Sequence, residues 1–389
     1  MKTQKLRLGI IGVSGRGHRL AELAHKPEDG VEIVAGMDPF DDKLREFSDC
    51  YNHQVGCYKD YRQMIEKENL DGVLITSPDY CHEEQASFAL SLGIPVYLEK
   101  PMAITTAGCD RILKTARDNH VKLMLGHNMR YMNFTNKMKS IIDSGAIGEI
   151  KAIWCRHFIS YGGDAYFRDW HADRRKSNSL LLQKGAHDID IIHWLAGSYS
   201  SKVSGMGSLS VYNQLPRRDN EDKPDVSFNS AHWPPTEQSG FYPVIDVADH
   251  NMIMMQLANG VQACYMQCHY TPDSWRNYTV IGTKGRIENY GDIYEDTVVE
   301  LWNKRVDRFR LHGDATFQAA SSVGSHGGAD PKIVQGFIDY LRGEHTPVTT
   351  PQASRYAVAA GCAGADSIRN GGGVVEVPPL DPDLETYKY

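Results

Sequence analysis

Short apolar runs alternate with amphipathic stretches over the first 125 residues, and this alternation restricts the fold more than any other feature of the chain. The apolar runs have the length and composition of buried strands: Leu6–Gly12, Val31–Met37, Gly72–Ile75, Val96–Leu98 and Leu123–Leu125. Helical patterns lie between them, near residues 17–26, 41–49, 60–68, 80–92 and 105–119. Repeated strand–helix–strand order predicts a parallel sheet whose right-handed crossover helices cover both faces. We therefore predict that residues 1–125 form a doubly wound Rossmann domain, the α/β fold that binds dinucleotides.

The pattern changes after about residue 150, where strand-like runs follow one another with turns between them. The runs are Ile150–Ile159, Lys202–Tyr212, Asn251–Leu257, Val261–His269, Tyr278–Ile281, Arg286–Asn289 and Val298–Trp302. One helix near 186–196 interrupts them, and two helices near 330–343 and 352–370 close the chain. We predict an α+β domain over 126–389, for substrate binding and oligomerisation, with a mainly antiparallel open sheet and helices on one face. A length of 389 residues suits two domains.

The connection over 213–243 is rich in Pro, Asp and Asn and contains Trp233-Pro234-Pro235. A connection this long is usually functional or disordered. Its aromatic residues favour a subunit contact or a lid, and a mobile loop is an equal alternative.

Charge and cysteine content exclude several classes of protein. A net charge of −7 argues against a general nucleic-acid binder. No apolar run approaches the ~20 residues of a membrane span, and the N-terminus lacks the pattern of a signal peptide. We therefore expect a cytoplasmic protein with reduced thiols. Cys264 and Cys268, four residues apart on a predicted strand, are interpreted as core thiols, so no metal site is predicted.

A glycine-rich turn joins the first predicted strand to the first helix and is the candidate cofactor site. Gly12, Ser14, Gly15, Arg16 and Gly17 lie where a backbone turn and a helix N-terminus can hold a pyrophosphate. The spacing is imperfect, because Ser14 takes the place of the middle glycine, and a simple tight turn is the alternative.

Asp38, 21 residues past Gly17, ends the second predicted strand. A carboxylate there binds the ribose hydroxyls of NAD and repels the 2′-phosphate of NADP. Capping of the next helix is the alternative. Arg16 and Arg19 could hold a 2′-phosphate, so NAD is preferred and NADP is kept as the less favoured cofactor.

Three further motifs follow the later strands of the first domain: Thr76-Ser77-Pro78-Asp79-Tyr80-Cys81-His82, Glu99-Lys100-Pro101 and Gly126-His127-Asn128-Met129-Arg130-Tyr131. A fourth, Gly185-Ala186-His187-Asp188-Ile189-Asp190, lies on the predicted helix near 186–196. With the glycine turn they make the chain resemble the Gfo/Idh/MocA oxidoreductases from residue 5 to about 375. The resemblance implies hydride transfer between a nicotinamide cofactor and a carbinol carbon of a sugar, glycoside or cyclic polyol. It also implies a homo-oligomer, because this family usually pairs its open sheets in dimers or tetramers.

The resemblance assigns catalysis to Lys100 and His187. His187 would be the general base, and Lys100 would hydrogen-bond the same oxygen; an ion pair with Glu99 is the alternative for Lys100. Besides the glycine turn and Asp38, the predicted cofactor-binding residues follow the strands in order and should meet at one sheet edge: Ser77, Pro78, His82, Glu99, Lys100 and Asn128.

The predicted substrate-binding residues are Tyr161, Arg168, Trp170, Gln183, Lys184, His187 and His326. Gln183 stands where many dehydrogenases of the family carry an Asp, four residues before the His. A lysine at position 184 resembles the pattern of the family's NAD-dependent glycosidase branches. If its side chain points inward, Lys184 would lower the pKa of a nearby His. His326 is assigned to the substrate or, equally, to helix capping.

The preferred prediction is an NAD-dependent dehydrogenase acting on a ring secondary hydroxyl, at C3 of a glucoside. The alternatives are an inositol dehydrogenase and a glycosidase that works through transient C3 oxidation and elimination. A non-catalytic NAD-binding scaffold is the third alternative.

Overall fold

The computed structural model describes residues 5–222, 227–320 and 324–389. Its first part contains six strands: β1 (Leu6–Ile11), β2 (Val31–Met37), β3 (Gly56–Tyr58), β4 (Gly72–Ile75), β5 (Val96–Leu98) and β6 (Leu123–Leu125). The helices between them are α1 (Arg16–Ala24), α2 (Asp41–Cys50), α3 (Tyr61–Lys67), α4 (His82–Ser91) and α5 (Thr106–Asp118).

The second part begins with helix and strand elements in mixed order: α6 (Asn133–Asp143), β7 (Ile150–Phe158), α7 (Gly162–Ala165), α8 (Arg174–Ser177), α9 (Leu180–Gln183), α10 (Gly185–Ala196) and β8 (Ser200–Ser208). A run of strands follows: β9 (His250–Leu257), β10 (Gln262–Cys268), β11 (Trp275–Gly282), β12 (Arg286–Tyr290), β13 (Val298–Trp302) and β14 (Ala315–Gln318). The chain closes with α11 (Ser325–Arg342), α12 (Pro351–Arg369), β15 (Val375–Glu376) and α13 (Pro382–Glu385).

The chain divides into two compact units, and neither is one continuous segment. The first comprises Met1–Tyr131, Gly324–Arg355 and Leu380–Tyr389, and the second comprises Met132–Val323 and Tyr356–Pro379. This division differs from the predicted contiguous domains, because α11 belongs to the first unit. The physical reason is burial: Ile333, Phe337 and their neighbours on α11 share a core with Leu8 and Ile10 of β1.

The first unit is the predicted doubly wound domain, and its strand order is β3-β2-β1-β4-β5-β6. Every strand pair in this sheet is parallel, and Ile10 lies between Gly36 of β2 and Leu74 of β4. Strand order reverses between β1 and β4, and sheets of this kind bind ligands at the carboxyl ends of the strands beside that point. The prediction of a Rossmann domain is confirmed.

The second unit is built on a nine-stranded sheet of order β14-β13-β12-β11-β7-β10-β9-β8-β15. Its pairs are antiparallel except for β7 with β10, which agrees with the predicted mainly antiparallel sheet. The register places Cys155 between Tyr265 and Tyr278, and the next inward residue, His157, between Gln267 and Arg276. Polar side chains are therefore brought together on the face against which α10 packs.

Several local predictions differ from the structure. Cys264 and Cys268 share one face of β10, but that face is half-buried rather than core. The predicted strand Lys202–Tyr212 ends at Ser208, because a short 3₁₀ turn begins at Tyr212. Residues 223–226 of the long connection lie outside the described part. No helix in the described ranges is long and apolar enough to cross a bilayer.

Candidate functional site

The turn between β1 and α1 depends on glycine at three positions. A Cβ on Gly12 (φ +87°) would lie 2.8 Å from the backbone nitrogen of Ser77, and a Cβ on Gly17 would lie 1.8 Å from the carbonyl oxygen of Gly12. Gly15 (φ +52°) differs, because a Cβ there would meet nothing within 4 Å. The backbone at the start of α1 is thus left open, as the approach of a pyrophosphate requires.

Asp38 lies buried directly after β2. Its Oδ1 accepts a hydrogen bond of 3.2 Å from the backbone of Phe40, the residue that precedes α2. The carboxylate therefore fixes the turn that leads into α2, and both predicted roles of Asp38 stay open.

Arg16 is held between two buried carboxylates. Its Nε and Nη2 each lie 2.8 Å from Oε1 of Glu99, and its Nη1 lies 2.6 Å from Oδ2 of Asp330. Burial alone would raise the pKa of Glu99, but the charges of Arg16 and Lys100 outweigh it and lower that pKa below its ordinary value. The guanidinium thus ties the glycine turn to the end of β5 and to α11.

Asp330 also connects two residues that the sequence predicted as separate contacts. Asn128 donates from Nδ2 to Asp330 Oδ1 over 2.9 Å, and His326 Nδ1 lies 2.8 Å from Asp330 Oδ2. The amide oxygen of Asn128 is buried without a hydrogen-bond partner. An unused acceptor beside the glycine turn fits a polar group of a bound dinucleotide.

Lys100 follows β5 and is influenced by two neighbouring carboxyl groups, Glu99 and Asp79. Asp79 is buried and its Oδ2 makes no hydrogen bond. Burial raises the pKa of Asp79 far above its ordinary value, although the charge of Lys100 opposes the change. The lysine therefore sits at a strand end with a buried acid group beside it, which the sequence analysis did not anticipate.

His82 connects two of the strand-end loops. Its Nδ1 lies 2.8 Å from the carbonyl oxygen of Pro101, and its Nε2 lies 2.9 Å from that of Ser77. Burial lowers the pKa of His82. Since both ring nitrogens face protein carbonyls, this imidazole shapes the loops that carry Ser77, Pro78 and Lys100.

In the second unit, three predicted residues meet where α9 gives way to α10. Gln183 ends α9, Lys184 is the residue between the helices, and His187 lies in the first turn of α10. They keep exposed fractions of 6%, 9% and 8%, whereas Asp188 behind them is fully buried. These side chains are therefore mostly enclosed and still in contact with a solvent-accessible surface.

Lys184 contacts two aromatic residues of the segment that follows β7, Tyr161 and Tyr166. Its Nζ donates to the hydroxyl of Tyr161 over 2.8 Å, and it lies 5.2 Å from the Tyr161 ring centre and 5.7 Å from that of Tyr166. Burial and the charge of Arg276 lower the pKa of Lys184 to about 7. The amine therefore changes its protonation near neutral pH.

Asp188 is the centre of a buried network that sequence reasoning missed. Its carboxylate lies 3.0 Å from Nδ1 of His157 and 3.2 Å from Nε of Arg276, and it accepts from the hydroxyl of Tyr278. Burial and the charge of Arg276 lower the pKa of His157 to about 3, so this imidazole is neutral. No local signal reveals the network, because its members come from strands far apart in sequence.

Arg168 and Trp170 are held by other contacts. The guanidinium of Arg168 lies 5.2 Å from the Phe241 ring centre, and Trp170 stacks on His171 at 3.8 Å. Both belong to a loop that packs against Phe241. Phe241 lies in the long connection over 213–243, for which the sequence left the function open.

Comparisons with known proteins identify both parts of the chain. Residues 6–127 match the model of the oxidoreductase family, NAD-binding Rossmann fold, and residues 139–377 match that of the oxidoreductase family, C-terminal alpha/beta domain. Together these matches cover most of the sequence and confirm the resemblance on which the site prediction depends.

Three relatives illustrate the range of the matches. The putative oxidoreductase YteT of Bacillus subtilis is 25% identical over 77% of this chain and 80% of its own length. The inositol 2-dehydrogenase of Salmonella typhimurium is 31% identical over 49% of this chain and 54% of its own length. The 2,7-anhydro-N-acetylneuraminate hydratase of Mediterraneibacter gnavus is 24% identical over 89% of this chain and 91% of its own length.

Among solved structures, a levoglucosan dehydrogenase in complex with NADH and levoglucosan has a TM-score of 0.77. It is 19% identical, and the match covers 97% of this chain and all of that one. This similarity confirms the fold.

The open backbone at Gly15 generates a prediction about cofactor binding. Gly15→Ala places a methyl group in that space, so we expect the dissociation constant for NAD to rise at least tenfold, measured by calorimetry. Gly93→Ala is the matched control, because Gly93 has φ +79° and a Cβ there also meets nothing within 4 Å. Both variants should lose at least about 1 kcal/mol of stability, and Gly15→Ala more, because its ψ of −103° lies outside the left-handed helical region; equal NAD affinity in the two would contradict the assignment.

The low pKa of Lys184 generates a prediction about stability. Between about pH 7 and pH 10 the amine is neutral in the folded chain and protonated in the unfolded one. The unfolded state then binds more protons, so the free energy of unfolding should rise with pH by about 1.4 kcal/mol per pH unit from this group. Lys184→Met should remove that slope in urea unfolding at pH 7, 8 and 9. Parallel curves for the two proteins would show that Lys184 is protonated in the fold.

Proposed function

The chain belongs to the Gfo/Idh/MocA family of NAD-binding oxidoreductases, and we propose that it oxidises a ring secondary hydroxyl of a sugar or glycoside, at C3 of a glucoside. The observation that carries the proposal is the arrangement of the first unit. An open glycine turn, a buried carboxylate at Asp38 and a lysine at Lys100 all follow strands of one parallel sheet. That combination suits a dinucleotide and a reacting alcohol.

We assign the cofactor as NAD, which would accept the hydride. The glycine turn and the start of α1 would hold its pyrophosphate, and Asp38 its ribose hydroxyls. The guanidinium of Arg16 is already paired with Glu99 and Asp330, which disfavours a contact with the 2′-phosphate of NADP. Ser77, Pro78 and Asn128 complete the proposed cofactor-binding set.

The protein's own contribution is proton handling. The His187 imidazole would take the proton of the hydroxyl as the carbinol carbon is oxidised. The Lys100 ammonium would stabilise the negative charge that develops on the same oxygen. Gln183 and Tyr161 would bind neighbouring hydroxyls, since an amide and a phenol both donate and accept hydrogen bonds.

Two other activities are kept as alternatives. An inositol dehydrogenase is supported by the Salmonella relative, whose matched region is about half of its length. A glycosidase acting through transient C3 oxidation is favoured by Lys184, which stands beside His187 in a region where a dehydrogenase needs only one base. The hydratase relative, which spans most of the chain, adds support for chemistry beyond oxidation.

The test is NADH formation at 340 nm with glucose, aryl and alkyl glucosides, myo-inositol and a C-glycoside. We expect NADH with a glucoside and a loss of at least a hundredfold in Lys100→Met and His187→Gln, with NAD binding retained in His187→Gln. Lys114→Met, a change at an exposed lysine of the same unit, is the control. Aglycone release without net NADH would favour the glycosidase, and NADH formed only with myo-inositol would favour the inositol dehydrogenase. Silence with intact NAD binding would favour a scaffold.

We also propose that two copies of the chain pair through the outer face of the nine-stranded sheet. Trp154 of β7, Met206 of β8 and Met254 of β9 are 50%, 75% and 65% exposed on that face. An apolar patch on a sheet of this size is typical of a subunit contact, and the pairing accords with the usual assembly of the family.

Met254→Glu should therefore shift the protein to monomers in sedimentation velocity, because it places a charge in the contact. Phe309→Glu is the control, since Phe309 is 80% exposed in the loop between β13 and β14. If the wild type sediments as a monomer, or if Met254→Glu forms the same oligomer as the wild type, this face is excluded as the subunit contact.

A further inference from the structure

Lys184 occupies an unusual position for a buried lysine. Its side chain is mostly enclosed at the start of α10, three residues before His187. Among the residues that the structure describes, its ammonium group donates one hydrogen bond, to the hydroxyl of Tyr161 at 2.8 Å. A buried lysine is costly unless it is paired or has a chemical role.

The charges around Lys184 come from several elements. Asp188 faces it from α10, Arg276 from β11 and Asp292 from the turn after β12, while His157 of β7 and His269 after β10 lie in the same cluster. Asp188 is already bound by Arg276 and His157, and burial raises the pKa of Asp292. Within the described ranges Lys184 forms no ion pair, so nothing neutralises its ammonium form directly.

Opposing effects then act on the amine. Burial and Arg276 favour the neutral form and bring the pKa of Lys184 to about 7. The Tyr161 hydroxyl, which accepts a hydrogen bond from Nζ, and the Tyr166 ring, whose centre lies 5.7 Å away, favour the charged form. A group balanced in this way both accepts and returns a proton at neutral pH, which is the requirement for general acid–base work.

We propose that Lys184 is a second base of the site, which removes a proton from the ring carbon next to a substrate carbonyl, and that Tyr161 positions its amine. The inference rests on the proposed function, because the carbonyl is the product of the oxidation. Hydroxyl oxidation releases a single O–H proton, which His187 takes. The carbon next to the new ketone carries the next most acidic hydrogen of the ring.

The lone pair of Lys184 Nζ takes the proton, the C–H electron pair becomes a C=C bond, and the carbonyl π pair moves to oxygen. Return of a solvent-derived proton from Nζ restores the ketone. A second outcome is open where the carbon beyond the deprotonated one carries an alkoxy group. The electron pair then forms a C=C bond to that carbon, the C–O bond breaks, and the departing oxygen takes a proton.

The test supplies the ketone directly, so that no oxidation is needed. The 3-keto form of methyl β-D-glucopyranoside and 2-keto-myo-inositol are incubated in D₂O with the protein and oxidised NAD, which cannot reduce them. Proton NMR should show enzyme-dependent deuteration at one of the two carbons next to the carbonyl.

Lys184→Met should slow this exchange at least a hundredfold. Tyr161→Phe should slow it about tenfold and move the pH at which the exchange rate reaches half of its maximum, because Tyr161 acts through the Lys184 amine. Lys151→Met, a change at an exposed lysine that pairs with Glu149, should exchange like the wild type. Exchange that persists in Lys184→Met overturns the proposal. Reduction of either ketone by NADH without any exchange overturns it too, and leaves the proposed function intact.

The protonation of Lys184 can also be measured in the wild-type protein without any substrate. Acylation of wild-type lysines across pH 5–11, read by mass spectrometry, reports the neutral fraction of each amine. A midpoint near pH 7 for the Lys184 peptide supports the proposal, with the Lys151 peptide of the same digest as reference. A midpoint near pH 10 overturns it, because an ammonium group cannot accept a proton.

Discussion

The contact between Arg16 and its two carboxylates is the interaction on which the rest of the first unit depends. Glu99 follows β5, Asp330 lies on α11, and Arg16 begins α1, so one guanidinium fixes three elements. Removal of one member would leave a buried charge uncompensated, which is strongly destabilising. The same contact sets the position of Lys100, whose backbone nitrogen donates to Glu99, and of Asn128, which donates to Asp330.

The second unit uses the opposite arrangement. Around α10 the basic side chains Arg276 and Lys184 both lie near Asp188. Asp188 pairs with Arg276, and among the described residues Lys184 forms no ion pair. Buried networks that are fully satisfied give rigidity, whereas an unsatisfied member keeps chemical freedom. The structure thus separates a supporting pair from a reactive amine within one cluster.

Sequence reasoning predicted the elements whose signals are local. The glycine turn, Asp38 and Lys100 each stand beside a strand that its apolar run identifies, and the order of strands follows from the repeated crossovers. It could not predict the partners of Arg16, because Asp330 lies 314 residues away in sequence. The short strands β3, β14 and β15 were missed for a related reason: they are held by pairing with neighbours rather than by their own composition. Lys184 was noted from its position, but its surroundings come from β7, β10 and β11 and become visible only when the register is known.

The return of α11 to the first sheet has a consequence for how the polypeptide is made. The core beneath β1 contains Ile333, Val334 and Phe337, which leave the ribosome long after the strands they cover. A nascent chain that ends at residue 131 has every strand of the parallel sheet but lacks part of its hydrophobic cover. During synthesis of the next 200 or so residues that surface stays exposed to water, and to chaperones that bind apolar segments. The first unit to be translated is therefore among the last to complete its core.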